Sequence, residues 1–102
     1  MDQQQSGGWS PVEPATPEVQ QICDKVKPQV EVLVPGADVN VFSAVSFAYQ
    51  IVAGMNYVIK VDVDGNVCVH VMVSAALPCF GEELKVLRIQ YPKDPSDPLQ
   101  PF

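Results

Sequence analysis

The chain reads as an α+β domain, with one long helix packed across a four- to five-stranded antiparallel β-meander. Three observations lead there. Apolar residues recur at helical spacing from Val19 to Leu33. From Val39 the period changes to two and stays there through several segments. Short turn signals, Asp64-Gly65 the plainest, separate those segments closely enough for hairpins and leave no room for crossovers. The 102 residues suffice for one domain with one modest core.

Residues 1–13 carry a short Gln run and then Gly7-Gly8-Trp9-Ser10-Pro11, without any period. They read as a flexible N-terminal arm ahead of a single domain over residues 14–102. Thr16-Pro17-Glu18 starts the helix: Thr caps, Pro at the first helical position loses no needed N–H, and Glu18 suits the positive end of the dipole. Val19, Ile22, Cys23, Val26, Val30 and Leu33 make the apolar face, with Gln20, Gln21, Asp24, Lys25 and Lys27 opposite. Pro28 removes a hydrogen bond to Asp24 and is expected to bend the helix, which Pro35-Gly36 ends.

In the first long strand Val39, Val41, Val45, Phe47, Tyr49 and Ile51 share one face, and Asn40, Ala44, Ser46, Ala48 and Gln50 the other. After a turn at Ala53-Gly54, Tyr57, Ile59, Val61 and Val63 resume the apolar face against Asn56, Lys60 and Asp62. Val67, Val69, Val71 and Val73 form the next inward face, with His70 and Met72 opposite. A loop from Ala75 to Gly81 holds Leu77-Pro78-Cys79-Phe80, and a last strand runs from Leu84 to Tyr91. The tail from Pro92 to Phe102 has four prolines and belongs outside any sheet interior.

Composition narrows the function. A net charge of −6 argues against nucleic acid or an anionic membrane as partner. No apolar run approaches the ~20 residues of a membrane span, and the first residues have neither the basic nor the apolar region of a signal peptide. Three cysteines, Cys23, Cys68 and Cys79, without a C-x-x-C pair, point to a reducing compartment rather than to zinc or a disulfide framework. No nucleophile–base pair, paired acids or phosphate loop appears, so neither an enzyme, a cofactor nor a metal site is expected.

The turn Gln50-Ile51-Val52-Ala53-Gly54 is unusual because it is greasy where turns are ordinarily polar. Such a turn is either covered by the rest of the fold or exposed to meet a partner. In a meander, turns alternate between the two ends of the sheet, so this turn and the Leu77-Pro78 loop share one end. A helix running along the strands would bring its N-terminus, and with it Gly7 and Gly8, to that end too.

Gly7-Gly8, Gln50 to Gly54 and Leu77-Pro78, in this order, resemble the three inhibitory elements of the cystatins. Pro14 to Glu18, Val52 to Tyr57, His70 to Val73 and Phe102 look most like the cytosolic branch, the stefins. The resemblance runs from Gly7 to the last residue. It implies a reversible, tight-binding inhibitor of papain-like cysteine proteases, cathepsins included. Gly7, Gly8, Gln50, Ile51, Val52, Ala53, Gly54, Leu77 and Pro78 would then form a wedge entering the protease cleft. It also implies a monomer, with exchange of hairpins between two chains as the other assembly. The match departs at three places. Gln5 and Ser6 precede the glycines where relatives often have apolar residues, Met55 stands where Thr is usual, and Val32 to Val41 is unusually apolar with one extra residue.

Plainer readings stand beside these. His70 reads as a sheet-surface or packing residue, Cys23 as core, and Asp62 and Asp64 as turn residues rather than a cation site. Cys68 falls on the outer face, Cys79 lies in the loop, and Trp9 either anchors the arm in a partner groove or caps the entry to the helix. The alternative function is a protein-interaction module on the same fold without inhibitory activity.

Overall fold

The computed structural model describes residues 8–34, 41–52, 54–75 and 84–102. A two-residue strand, β1 (Glu13–Pro14), precedes the helix α1 (Pro17–Leu33). Four longer strands follow: β2 (Ser43–Val52), β3 (Gly54–Asp62), β4 (Cys68–Ala75) and β5 (Leu84–Lys93). They form one antiparallel sheet in sequence order, β1 to β5, so the meander gains a fifth strand from the segment before the helix.

Both helix ends follow from local chemistry. Thr16 is extended, and its hydroxyl accepts the Val19 N–H at 3.2 Å, satisfying a donor the first turn would leave open. At the other end Val34 precedes Pro35, which disfavours the helical region for it; its φ of −97° and ψ of 115° are extended. The helix continues through Pro28. Val19, Cys23, Val26 and Val30 are buried as expected, but Leu33 is half exposed. Val34, where the backbone turns out of the helix, is buried in the core in its place.

The first long strand departs from simple alternation. The β2–β3 register slips between Ala44 and Ser46, leaving Val45 as an extra residue. One added residue exchanges the faces. Beyond it Phe47 and Tyr49 point to the helix as the alternation predicts, whereas before it Phe42 and Ala44 join the core. Val41 and Val45, expected inward, are exposed. Ile59 and Val61 of β3, Val69, Val71 and Val73 of β4, and the half-buried Val86 and Ile89 of β5 complete the helix-facing layer.

The opposite face is also covered. Ala48, Val58, Met72 and Leu99 form a second buried cluster, flanked by Trp9 and Phe102. The Pro-rich tail lies across this face. Lys60 Nζ donates to the Pro95 carbonyl at 2.7 Å, and Arg88 Nε donates to the Phe102 carbonyl at 2.5 Å, its guanidinium over the Phe102 ring. His70 and Cys68 are thereby buried, at 1% and 2% exposure. At the Asp64-Gly65 hairpin, Asp62 Oδ1 accepts the N–H groups of Asp64 and Gly65, so this carboxylate serves the turn itself.

The helix does not run along the strands. Near its start the Gln20 side chain accepts the Ala44 N–H at 2.8 Å and donates to the Phe42 carbonyl at 3.0 Å. Near its end Gln29 accepts the Val86 N–H at 2.9 Å and donates to the Leu84 carbonyl at 3.1 Å. The first pair lies at the start of β2, away from the Gly54 turn, and the second at the start of β5, on the other side of the sheet. The helix therefore crosses diagonally, and its N-terminus does not return to the Gly54 end as the sequence suggested.

Candidate functional site

The N-terminal segment reaches the Gly54 end by its own path. From the helix start it runs backward along the free edge of β2: Pro14 lies opposite Ser46, Glu13 opposite Phe47, and Trp9 opposite Gln50. Ser10 adds two bonds, its N–H to the Tyr49 carbonyl at 2.8 Å and the Tyr49 N–H to its hydroxyl at 2.9 Å. Gly8, the next residue outward from the Trp9–Gln50 bridge, is exposed and turns away from extended backbone at a φ of +67°. Gly7 lies outside the described residues.

The apolar turn itself is tight. Ile51 pairs with Met55 and Val52 with Gly54; Ala53 lies outside the described residues. Gly54 has φ of +132°, a conformation L side chains rarely adopt, so the turn needs glycine there. Ile51 is 71% exposed and Val52 49%, which decides between the two readings of this turn: these two side chains are open to solvent.

Below the tip the hairpin is stiff. Asn56 Nδ2 donates to Gln50 Oε1 at 3.0 Å across the strands. One residue further down Tyr49 pairs with Tyr57, and both rings lie near Phe47, with centroids 6.2 and 6.5 Å from it. Such aromatic pairs contribute about 1 kcal/mol each beyond their buried area. The turn thus projects from a packed, bonded base.

Leu77 and Pro78 fall outside the described residues. Their connection leaves the sheet at Ala75 and returns at Leu84, which are paired, and Ala75 is paired with Met55. Its base therefore stands at the same end as Ile51 and Gly54.

Trp9 neither reaches outward nor caps the helix. It packs beside Ala48, Val58, Met72 and Leu99 on the outer face and pins the segment that positions Gly8. The available signal is that Trp9 is the one aromatic residue in the arm. Ser10, which completes the docking, carried none.

Among the described residues no group of three or more His, Cys, Asp or Glu side chains could hold a metal ion. Burial raises the Cys23 thiol to about 12, with Asp24 adding to the shift, and burial also raises that of Cys68. Both thiols stay protonated and unreactive at neutral pH. No helix among the described residues is long and apolar enough to cross a membrane.

A single helix laid over an antiparallel meander, with an apolar turn exposed at one sheet end, is the architecture of the cystatins. A family model for the cystatin domain matches residues 7–89. The chain is 43% identical over 97 residues to cystatin-A8 of Sus scrofa, covering 95% of this chain and 93% of that protein. It is 42% identical over 96 residues to cystatin-A of Homo sapiens, covering 94% and 97%. To cystatin-B of Mus musculus it is 43% identical over 96 residues, covering 94% and 97%. Another relative, 42% identical, bears the name leukocyte cysteine proteinase inhibitor 1. The chain belongs to the cystatin superfamily and, within it, to the stefin family, whose members are cysteine protease inhibitors and not enzymes.

Proposed function

We propose that this protein is a reversible, tight-binding inhibitor of papain-like cysteine proteases, cathepsins among them, acting in the cytoplasm as a monomer. Residues 1–13 serve as the arm of a single domain spanning 14–102. The wedge is made of Gly7 and Gly8, the turn Gln50 to Gly54, and Leu77-Pro78. It fills the cleft on both sides of the protease's catalytic Cys–His pair and presents no peptide bond in position for attack.

The observation that carries this reading is the exposure of Ile51 and Val52 on a rigid hairpin tip in a stefin chain. Burying both side chains in a cleft is worth on the order of 3 kcal/mol, without desolvating any charge. Because the hairpin is already held by the Gln50–Asn56 bond and its aromatic base, little conformational entropy is lost on docking. Gly54 keeps the turn narrow by having no side chain to meet the cleft walls.

Titration of papain with the protein tests the reading. Activity should fall linearly to zero near one equivalent, while serine and metalloproteases stay active. Fully active papain in excess protein would leave a cystatin-fold interaction module as the alternative.

A further inference from the structure

We propose that the tail from Asp97 to Phe102 is a docking site for an SH3-type domain, whose groove has aromatic-walled slots for a polyproline II segment. Prolines recur at every third residue, Pro92, Pro95, Pro98 and Pro101. The first two are committed elsewhere. Pro92 lies in β5, and Pro95 sits in a turn closed by the Asp97 N–H on the Asp94 carbonyl at 2.9 Å. From Pro98 onward the chain has neither helix nor strand. Each proline fixes its own φ and pushes the residue before it to extended backbone. Asp97, Pro98, Gln100 and Pro101 are all constrained in this way, and between them only Leu99 is not.

Burial follows the period of three that such a segment has. Leu99 is 7% exposed in the cluster of Ala48, Val58 and Met72, and Phe102, three residues on, flanks the same cluster. Pro98 and Pro101, also three apart, are exposed, as is Gln100. A polyproline II helix has three edges. Here one edge, Leu99 with Phe102, holds the tail to the sheet, and the edge of Pro98 with Pro101 is open. An SH3 groove takes two pairs of a residue and its following proline, and the residue between the pairs faces away from it. Those pairs are Asp97-Pro98 and Gln100-Pro101, and the residue between is the buried Leu99. The tail can therefore be read without leaving the sheet.

The surroundings fit the same occupant. A hollow between the tail and β5, lined by Gln90, Lys93, Pro98, Gln100 and Pro101, leaves room for an aromatic ring against the prolines. Lys93 stands at its wall, and the exposed Arg88 is held at the far end by the carbonyl and ring of Phe102. Carboxylates beside the partner's slots would meet these two cations, although the chain as a whole carries −6. Bonds from Lys60 to Pro95 and from Arg88 to Phe102 tie the segment at both ends, so docking loses little entropy.

The test leaves papain aside and does not depend on the protease reading. The full-length protein is screened against an array of purified SH3 domains, with purified WW domains for comparison, and the strongest SH3 binder is titrated by calorimetry and amide NMR. Shifts in the wild-type protein should centre on Leu99, Gln100, Phe102, Arg88 and Lys93. Pro98→Ala and Pro101→Ala should each weaken binding at least about tenfold, and Pro95→Ala should leave it within about twofold. All three side chains are exposed, so unchanged melting temperatures should accompany these results. No binding to any SH3 domain, a preference for WW domains, shifts centred elsewhere, or an equal loss from Pro95→Ala would overturn the proposal.

Discussion

Trp9 stands opposite Gln50 in an antiparallel bridge, and its ring packs beside Ala48, Val58 and Met72 on the outer face of the sheet. The arm is therefore docked from Trp9 onward, and what precedes Gly7 is polar: Gln3, Gln4, Gln5 and Ser6. Ordering such side chains in a cleft costs entropy and buries little apolar surface. Removal of residues 1–6 with Gly7 kept should weaken inhibition by about 1 kcal/mol or less. Trp9→Ala should cost about 2 kcal/mol of folding stability through lost packing and also weaken inhibition. Inhibition constants and denaturant midpoints for the two variants decide the matter; a larger loss from the truncation would make residues 1–6 the anchor.

At the turn, Gly54→Glu combines two injuries. A non-glycine residue at φ of +132° is strained by about 1–3 kcal/mol, and the carboxylate would enter the dry centre of the interface. Inhibition should weaken by several kcal/mol while the circular-dichroism spectrum remains native. Val52→Asp, at a half-exposed position, should spare stability and still weaken inhibition more than removal of residues 1–6. Unchanged inhibition constants for both would place the turn outside the interface.

Acid should destabilise the protein through His70. The imidazole is buried at 1% exposure, and among the described residues its Nε2 has no hydrogen-bond partner. Burial first, then Lys93 and Lys60, lower its pKa from 6.5 to about 4, against a weaker opposing pull from Asp97. Between those values the unfolded chain takes up a proton that the native state refuses. The contribution is thus fully present above pH 6.5 and is lost as pH falls toward 4, up to roughly 3 kcal/mol at about 1.4 kcal/mol per unit. His70→Leu should flatten this part of the stability–pH curve. A curve of unchanged slope in the variant would assign the acid sensitivity elsewhere.

Oxidation should join chains through Cys79. Cys23 and Cys68 are buried, with thiols raised in pKa, and neither offers the thiolate that disulfide exchange requires. Cys79→Ser should abolish oxidised dimers on non-reducing gels. Dimers that persist would implicate Cys68, exposed by loosening of the tail.

Local chemistry made much of the fold legible. Thr16-Pro17 marked the helix start, Pro35 its end, and alternation from Phe47 to Val73 gave the correct inward face on three strands. The residues of the apolar turn were readable for the same reason, since Gly54 and its neighbours differ from ordinary turn residues in the sequence itself.

Other features depend on partners distant in sequence. Alternation says which residues share a face but not where a bulge exchanges the faces, so Val41 and Val45 were assigned inward while Phe42 and Ala44 fill the core. Gln20 and Gln29 belong to a polar helix surface by periodicity. Only the diagonal crossing of the sheet puts each amide against an open strand edge. The sequence by itself determined the elements, their inward faces over most of their length, and the greasy turn, because these depend on residues within a few positions of one another. The tertiary structure decided the path of the arm along β2, the crossing of the helix and the burial of His70 beneath the tail. Each of these is settled by which backbone edges and sheet faces remain uncovered once the strands have paired.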